Sequence, residues 1–554
     1  MARLLLFAGL ALADEYTHVY EADEAVTVWL NKVSSPKSPS DFYAFSSLPL
    51  CRGESSSPQL PHALSFSEVI EGFELQDSYM DIRFLRETNQ THLCSVQLSI
   101  SDREKLKEAV REQYWVQLFV DDLLVWGRLG KDKEVVYTHI HLQIHYNRNH
   151  IVQVLYQPGN PVKLASADEV QQQSLHFTYS AVWLPTSSPF ETRLYLYQDP
   201  GFVDVAKQWL SGSLSVLTVV LGCAVIIIIR IESFPNDTVK EMNIQAVHDF
   251  AGWKQIAGEV FRAPSCLLMF TVCVSVGVQL LAVAACMQLL CFLYPMYTER
   301  NYMTEMAIKL YSGFALLGGL CNGSFYKQHH GRYWISAMLA SLLGLPSIIG
   351  MTMLYLPAVF PLIDLEVGFL LVAAPLHVAG TMIGRKYLAD PKFPCKVNLV
   401  RKPIRSRKNW LERPLILNLM GGIFPFCCLL LTTSSIFSCF WNYKLLYTSV
   451  YGLVIFLALL GNVMSMAIWM TLIMLGIEEP RWPWLSFLCG GSTAGFLFLV
   501  ASFHYVFKPQ VSGALVYFGY MGLVCLGLFL LCGAVAYFTA YRFVRFTYSS
   551  TKSI

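Results

Sequence analysis

Residues 209–231 read WLSGSLSVLTVVLGCAVIIIIRI, an apolar run with a single charged side chain, Arg230, near its end. A helix of this length crosses the roughly 30 Å hydrocarbon core of a bilayer. The run also divides the chain, because most acidic residues precede it and long apolar runs follow it. We therefore expect a water-exposed N-terminal domain followed by a membrane-embedded half.

Further apolar runs follow at 266–294, 304–325, 333–357, 365–384, 414–441, 446–475, 484–506 and 513–541. With the first run they predict a polytopic α-helical membrane protein with about nine transmembrane helices. The composition agrees, because 54% of the residues are hydrophobic and 14% are charged, whereas soluble proteins are roughly 25% charged. The formal net charge of +2 gives no indication of a nucleic-acid partner.

Positive charge is concentrated between the fifth and sixth runs. Residues 385–413 contain ten Lys and Arg side chains and two acidic ones. The positive-inside rule places this loop in the cytoplasm. The predicted segments are a signal peptide at 1–13, a lumenal domain at 14–207, a first transmembrane helix at 208–231, a cytoplasmic loop at 232–265, an eight-helix bundle at 266–541 and a cytoplasmic tail at 542–554.

The N-terminal domain has the features of a secreted, β-rich domain. Arg3, the apolar stretch 4–12 and the A-L-A sequence at 11–13 are typical of a cleaved signal peptide. Short runs at 25–30, 79–84, 135–146, 151–156 and 176–183 predict strands of a sandwich-like fold. Cys51 and Cys94 precede the first span, and we expect a disulfide there, with two buried free thiols as the alternative. Asn89 begins an N-Q-T glycosylation acceptor.

No enzyme signature for a metalloprotease, serine hydrolase, P-loop or dinucleotide site occurs in the chain, so we expect no catalytic residue, cofactor or metal. His377 is the deepest ionisable group of the predicted spans and follows Pro375. A small-solute transporter or channel could use such a residue. The structural alternative is a histidine that forms hydrogen bonds between helices.

Paired glycines occur in three predicted spans. The G-x-x-x-G pairs are Gly319 with Gly323, Gly380 with Gly384, and Gly491 with Gly495. Small residues let helices approach closely, so these pairs predict either packing inside the bundle or a groove that docks a transmembrane helix of another protein. Both interpretations remain open from the sequence.

The first cytoplasmic loop ends in an amphipathic segment. Trp253, Ile256, Val260 and Phe261 recur at helical spacing, with the basic Lys254 and Arg262 beside them. This pattern predicts a short interfacial helix with its aromatic side chains at the lipid headgroups. Membrane lipids are therefore expected partners.

Several motifs appear in the order found in the nonaspanins, the transmembrane nine superfamily, which this chain resembles over nearly its whole length. They are NKV at 31–33, FYAFSSLPLC at 42–51, the strand at 79–84, FTYSAVW at 177–183 and GWKQIAGEVFRAP at 252–264. The last is the most distinctive, and its family positions are Gly252, Trp253, Lys254, Gly258, Phe261, Arg262 and Pro264.

The resemblance implies a non-enzymatic sorting factor in Golgi and endosomal membranes. Its partners would be membrane proteins with glycine-rich spans, which it would help to reach the surface. Family members of the Golgi type end in K-x-D or K-x-E, which binds a vesicle coat. Here Lys552 is followed by Ile554 in the acidic position, so we expect weak coat binding. A scaffold that recruits a glycosylation enzyme is a further alternative.

Overall fold

The protein is described by a computed structural model. The described residues are 18–35, 38–45, 48–51, 75–121, 123–131, 134–165, 173–190, 193, 205–233, 256–293, 302–355, 362–388, 393–395, 413–441, 449–507 and 514–550. One compact unit contains the N-terminal domain up to Val203, and a second contains most of the helical half. The predicted signal peptide, Gly252, Trp253, Lys254, Lys552 and Ile554 lie outside the described residues.

The N-terminal domain contains twelve strands in the described residues. They are β1 Ala25–Val26, β2 Val28–Ser35, β3 Ser38–Ala44, β4 Gln76–Asp77, β5 Ile82–Arg83, β6 Thr88–Leu98, β7 Trp115–Val120, β8 Leu123–Arg128, β9 Gly130–Lys131, β10 Val135–Asn147, β11 His150–Lys163 and β12 Gln173–Pro185. One five-stranded sheet has the order β11-β10-β12-β6, with β9 paired to β10. The second has the order β3-β2-β7-β8, with β4 paired to β2, and β1 and β5 form a separate two-stranded sheet. All pairs are antiparallel except β10 with β12.

The two sheets share one apolar core, which is the sandwich that the alternating strands predict. Leu30 and Leu118 enter it from one sheet, and Leu142, Ile144 and Phe177 enter it from the other. On β10 the even-numbered residues from 136 to 144 point inward, because successive side chains of a strand face opposite sides of the sheet. The odd-numbered residues of β10 therefore lie on the outer face.

One predicted strand of this domain is shorter in the structure. The strand predicted at 79–84 is reduced to Ile82–Arg83, because Tyr79 and Leu85 on either side have positive φ angles of 55° and 62°. The helix after β6 is α1, Ile100–Arg111. Its capping box is formed by Ser99 and Asp102. Ser99 Oγ accepts from the Asp102 N–H, and the Asp102 carboxylate accepts from the Ser99 N–H.

The second half is helical. Its helices are α2 Val205–Ser233, α3 Leu267–Leu293, α4 Tyr302–Gly313, α5 Ala315–Gln328, α6 Trp334–Tyr355, α7 Leu362–Ile383, α8 Pro414–Trp441, α9 Ser449–Gly476, α10 Trp482–Phe507 and α11 Ala514–Ser550. A π-helical turn, Gly384–Leu388, continues α7. The third predicted apolar run is divided at Phe314 between α4 and α5.

Five helices in the described residues are long and apolar enough to cross a membrane. These stretches are Leu267–Leu293, Trp334–Thr352, Tyr451–Gly476, Trp482–Phe503 and Phe518–Ser549, and shorter apolar helices occur at Gly212–Ala224 and Ile416–Leu430. The chain is therefore a polytopic membrane protein with a β-rich N-terminal domain, and the count of nine spans stays a prediction.

Helix α11 is the element against which three others pack. Gly277 of α3 lies against the Leu530 carbonyl and Ala534 of α11, and Gly490 of α10 lies against the Cys532 carbonyl of the same helix. Leu459 and Val463 of α9 join its Leu531 and Val535 in one apolar cluster. The 37 residues of α11 extend about 55 Å at about 1.5 Å per residue, well beyond the roughly 30 Å membrane core.

Candidate functional site

The glycines of α5 and α7 face each other across one helix crossing. A Cβ on Gly319 or Gly323 would collide with the carbonyl oxygen of His377 or Thr381 on α7. A Cβ on Gly380 or Gly384 would collide with the carbonyl oxygen of Leu316 or Leu320 on α5. Each helix backbone thus occupies the space above the glycines of the other.

This reciprocal contact decides between the two interpretations of these glycines. A helix of another protein cannot lie on Gly319, Gly323, Gly380 and Gly384 while α5 and α7 cover them. The docking groove predicted at these four positions is therefore wrong, and their glycines serve internal packing. The sequence could not distinguish the two cases, because both require the same small residues.

The third pair, on α10, is divided between a covered and an open position. Gly491 is buried, and its Cβ position lies 2.5 Å from the Phe529 ring of α11. Gly495 is exposed, and no described atom lies within 4 Å of its Cβ position. Phe498, Leu499 and Phe503 of the same helix are also exposed. Gly495 is therefore the one predicted docking glycine that the described residues leave open.

His377 lies at the junction of α5, α6 and α7 and is 1% exposed. Its Nδ1 lies 3.1 Å from the Ala315 carbonyl oxygen of α5, which can only accept, so Nδ1 carries a proton and donates. Its Nε2 lies 2.8 Å from Ser341 Oγ of α6. Asn322 Nδ2 of α5 donates to the same Ser341 Oγ over 2.7 Å. These contacts match the structural alternative, in which His377 forms hydrogen bonds between helices.

We expect His377→Ala to lower the free energy of unfolding by about 1–2 kcal/mol, because it removes the hydrogen bonds of the imidazole with the Ala315 carbonyl and with Ser341, which keeps only its contacts within α6 and with Asn322. Unfolding of the purified protein in detergent, followed by intrinsic fluorescence, measures this change. Ser347→Ala is the matched control, because Ser347 is exposed and donates only to Gly344 of its own helix. A His377→Ala protein of unchanged stability that lost a pH-dependent solute flux would instead favour the transporter hypothesis.

Residues 256–264, the described part of the GWKQIAGEVFRAP motif, pack against the helices. Ile256, Val260 and Phe261 are 4%, 1% and 3% exposed and belong to the core cluster of the bundle. The Trp482 indole N–H donates to the Val260 carbonyl over 2.8 Å. The Trp484 indole N–H donates to the Ser265 carbonyl over 2.6 Å.

The prediction that these apolar side chains contact lipid headgroups is therefore wrong. Residues 256–262 form turns, and the Phe261 ring stacks on Phe393 at 5.3 Å and meets Tyr548 edge-on at 6.0 Å. Arg262 pairs with Glu259 at 2.7 Å. Amphipathic spacing shows that one side of a segment is buried, but it does not show whether lipid or protein covers that side.

Between α9 and α11 lies an open groove of about 440 Å³. Its lining is Ile468, Phe538, Thr539, Arg542, Phe543 and Phe546. The groove is apolar except for the exposed Arg542 and the half-buried Thr539, so its chemistry suits an acyl chain with an anionic headgroup near the guanidinium.

In the N-terminal domain, Cys51 and Cys94 form a disulfide with a Cα–Cα distance of 5.9 Å. Both residues are 5% exposed and belong to the sandwich core. Asn89, the predicted glycosylation acceptor, is exposed on β6, which is an edge strand of its sheet. Within the described residues, no group of three or more His, Cys, Asp and Glu side chains could hold a metal ion.

Together, the apolar helices and the β-sandwich define a polytopic membrane protein with a folded extramembrane domain. A sequence model of the endomembrane protein 70 family matches residues 41–514, and the chain belongs to this family. The match confirms the resemblance to the transmembrane nine superfamily.

Its relatives come from plants and mammals. The chain is 28% identical to transmembrane 9 superfamily member 4 of Arabidopsis thaliana, with 98% of this chain and 96% of the relative covered. It is also 28% identical to transmembrane 9 superfamily member 1 of Bos taurus, with 99% and 96% covered. No solved structure matches the chain significantly.

Proposed function

We propose that this chain is a non-enzymatic sorting factor, a cargo receptor or chaperone that helps other membrane proteins travel through Golgi and endosomal membranes to the cell surface. In this proposal residues 14–207 face the lumen and the C-terminus faces the cytoplasm, as the basic loop at 385–413 predicts. Membrane lipids and a vesicle coat are further proposed partners.

The observation that carries the proposal is the open glycine on α10. Gly495 offers a site without a side chain beside the exposed Phe498 and Leu499, where a transmembrane helix of another protein could approach closely. A cargo helix that contains glycine would fit best, because both backbones would then be free of side chains at the crossing. The groove with Arg542 supports a lipid partner by its composition.

The experiment compares cell-surface proteins, labelled with an impermeant biotin reagent, in cells with and without this protein. We expect selective loss of a few membrane proteins with glycine-rich spans when it is missing. The unsubstituted chain should restore them, and Gly495→Leu should not. Gly344→Leu is the matched control, since Gly344 of α6 also has open space at its Cβ position.

An unchanged surface in cells without the protein would count against a sorting role. Full restoration by Gly495→Leu would count against docking at α10 while leaving sorting intact. Loss of restoration in both glycine variants would indicate a general effect of added bulk in the helices, so both variants are first checked for monodisperse purification.

A further inference from the structure

The β11-β10-β12-β6 sheet contains an unusual set of titratable residues. Its four main strands have no Asp, Glu or Arg and only one Lys, Lys163, yet they contain six of the thirteen histidines of the chain. These are His92 on β6, His139, His141 and His145 on β10, His150 on β11 and His176 on β12.

Strand register brings five of these histidines to one face. His139, His141 and His145 occupy odd positions of β10, opposite the inward Leu142 and Ile144. Thr178 and Ser180 of β12 are the register partners of His139 and His141. We call the surface formed by His92, His139, His141, His145 and His176 the histidine face.

Hydroxyl groups connect four of these five imidazoles in two pairs. Ser180 Oγ lies 2.9 Å from His139 Nε2 and 2.7 Å from His141 Nδ1. Ser95 Oγ lies 2.9 Å from His92 Nε2 and 2.8 Å from His176 Nδ1. A hydroxyl can either donate or accept, so an imidazole can keep such a partner after it gains a proton.

Within the described residues, the four main strands of this sheet carry no acidic side chain that would offset the charge that protonation adds. The register partners of the β10 histidines on β11 are Gly159, Gln157 and Gln153, which are uncharged. Other titratable or charged groups on or beside these strands include Tyr137 on β10, Tyr156 on β11, Lys131 on β9, Arg86 and Glu87 before β6, and Glu134, which pairs with Lys163 at 3.6 Å. Helix α1 packs through Leu106, Ala109 and Val110 into the core between the sheets.

We infer that the histidine face is a pH-gated binding surface for acidic polypeptide segments, engaging them at mildly acidic pH and releasing them at neutral pH. Histidine is the side chain whose charge changes between about pH 5 and 8, and glutamate stays ionised above about pH 4.3. A surface rich in histidine and poor in other charged side chains therefore gains positive charge as the pH falls, while an acidic segment keeps its charge. This inference rests on the proposed function, in which such segments belong to the lumenal parts of cargo.

His139 is half-buried, and its ring stacks beside that of His141. Burial first and the neighbouring His141 second lower its pKa. Its folded form therefore binds fewer protons than its unfolded form, and its contribution to stability is lost as the pH falls from about 6.5 towards the lowered pKa. The test below leaves His139 unchanged, so that binding and stability are not altered together.

The test measures binding of a fluorescent polyglutamate peptide to the purified full-length protein at about pH 7.4 and about pH 5.5. We expect at least roughly tenfold tighter binding at the lower pH, and weaker binding when salt is added. Replacing His92, His141, His145 and His176 with Gln should abolish the pH-dependent gain. Replacing the same four with Arg should give tight binding at both pH values. His150→Gln is the control, because His150 contacts Phe190 and the His18 carbonyl rather than the histidine face.

Equal binding at both pH values by the unsubstituted protein would overturn the inference, as would a Gln variant that keeps the gain. Should the Gln variant fail to fold, the Arg variant still tests the inference. Binding of the peptide to the Arg variant that remains pH-dependent would contradict the role of the histidines. The peptide replaces cargo in this experiment, so a negative result leaves the surface-labelling test of the sorting role unaffected.

Discussion

Gly323→Leu is expected to destabilise the helical half by at least about 3 kcal/mol, the upper end of the usual cost of overpacking. The Cβ alone would collide with the Thr381 carbonyl oxygen and lie 3.0 Å from its Cα. These are backbone atoms of α7, which cannot rotate away as a side chain can. The two helices must separate, and that separation also disturbs the contacts of Gly380 and Gly384 with α5.

Thermal unfolding in detergent, with size-exclusion chromatography as a check of monodispersity, measures this effect. Gly495→Leu is the matched control, because the same side chain added there meets open space. We expect Gly495→Leu to unfold close to the temperature of the unsubstituted protein. Similar losses in both variants would indicate that leucine disturbs these helices for a reason other than the α5–α7 crossing.

The second large effect is expected from removing the disulfide. Cys51 and Cys94 are 43 positions apart, and a cross-link over such a loop stabilises a domain by roughly 4 kcal/mol on the chain-entropy estimate. Either Cys51→Ser or Cys94→Ser removes that constraint and buries a hydroxyl in an apolar core. The two variants should therefore be about equally unstable.

Expression of the full-length chain and its resistance to protease in detergent measure this loss. The control is Cys223→Ser in α2, where the thiol is exposed and free. The double variant at Cys51 and Cys94 should be no worse than either single one, since it leaves no unpaired thiol. A single variant with normal yield and protease resistance would argue against a stabilising bridge.

The sequence was most informative where one physical preference dominates. Exposing a long apolar run to water costs free energy, and inside a bilayer such a run must satisfy its own backbone hydrogen bonds as a helix. Helices occur in all the predicted runs, although the third is broken at Phe314. Alternation of apolar residues likewise located β10, β11 and β12. Predictions were poorer where the contact partner matters. The spacing around Phe261 suits contact with lipid as well as with protein, and the small residue at Gly319 suits cargo docking as well as internal packing. Only the fold shows that other parts of this chain cover both residues.

The histidine face was missed for a related reason. Along the chain His92 and His176 lie far from the histidines of β10, and the histidines show none of the spacings of a metal site. The available signal was the odd-numbered series His139, His141 and His145, which a strand places on one side. His92 and His176 could not be added without the β6–β12 register, in which Ser95 is the partner of His176.

The position of α11 has a consequence for how the protein is made. Ribosomes synthesise chains from the N-terminus, so α3, α9 and α10 are made before the helix on which they converge. Until α11 arrives, Gly277 and Gly490 lack the backbone that covers them in the finished bundle. Assembly of the bundle is therefore completed late in translation. A nascent chain without α11 would expose the helix surfaces around Gly277 and Gly490, and this exposure would distinguish it from a finished molecule.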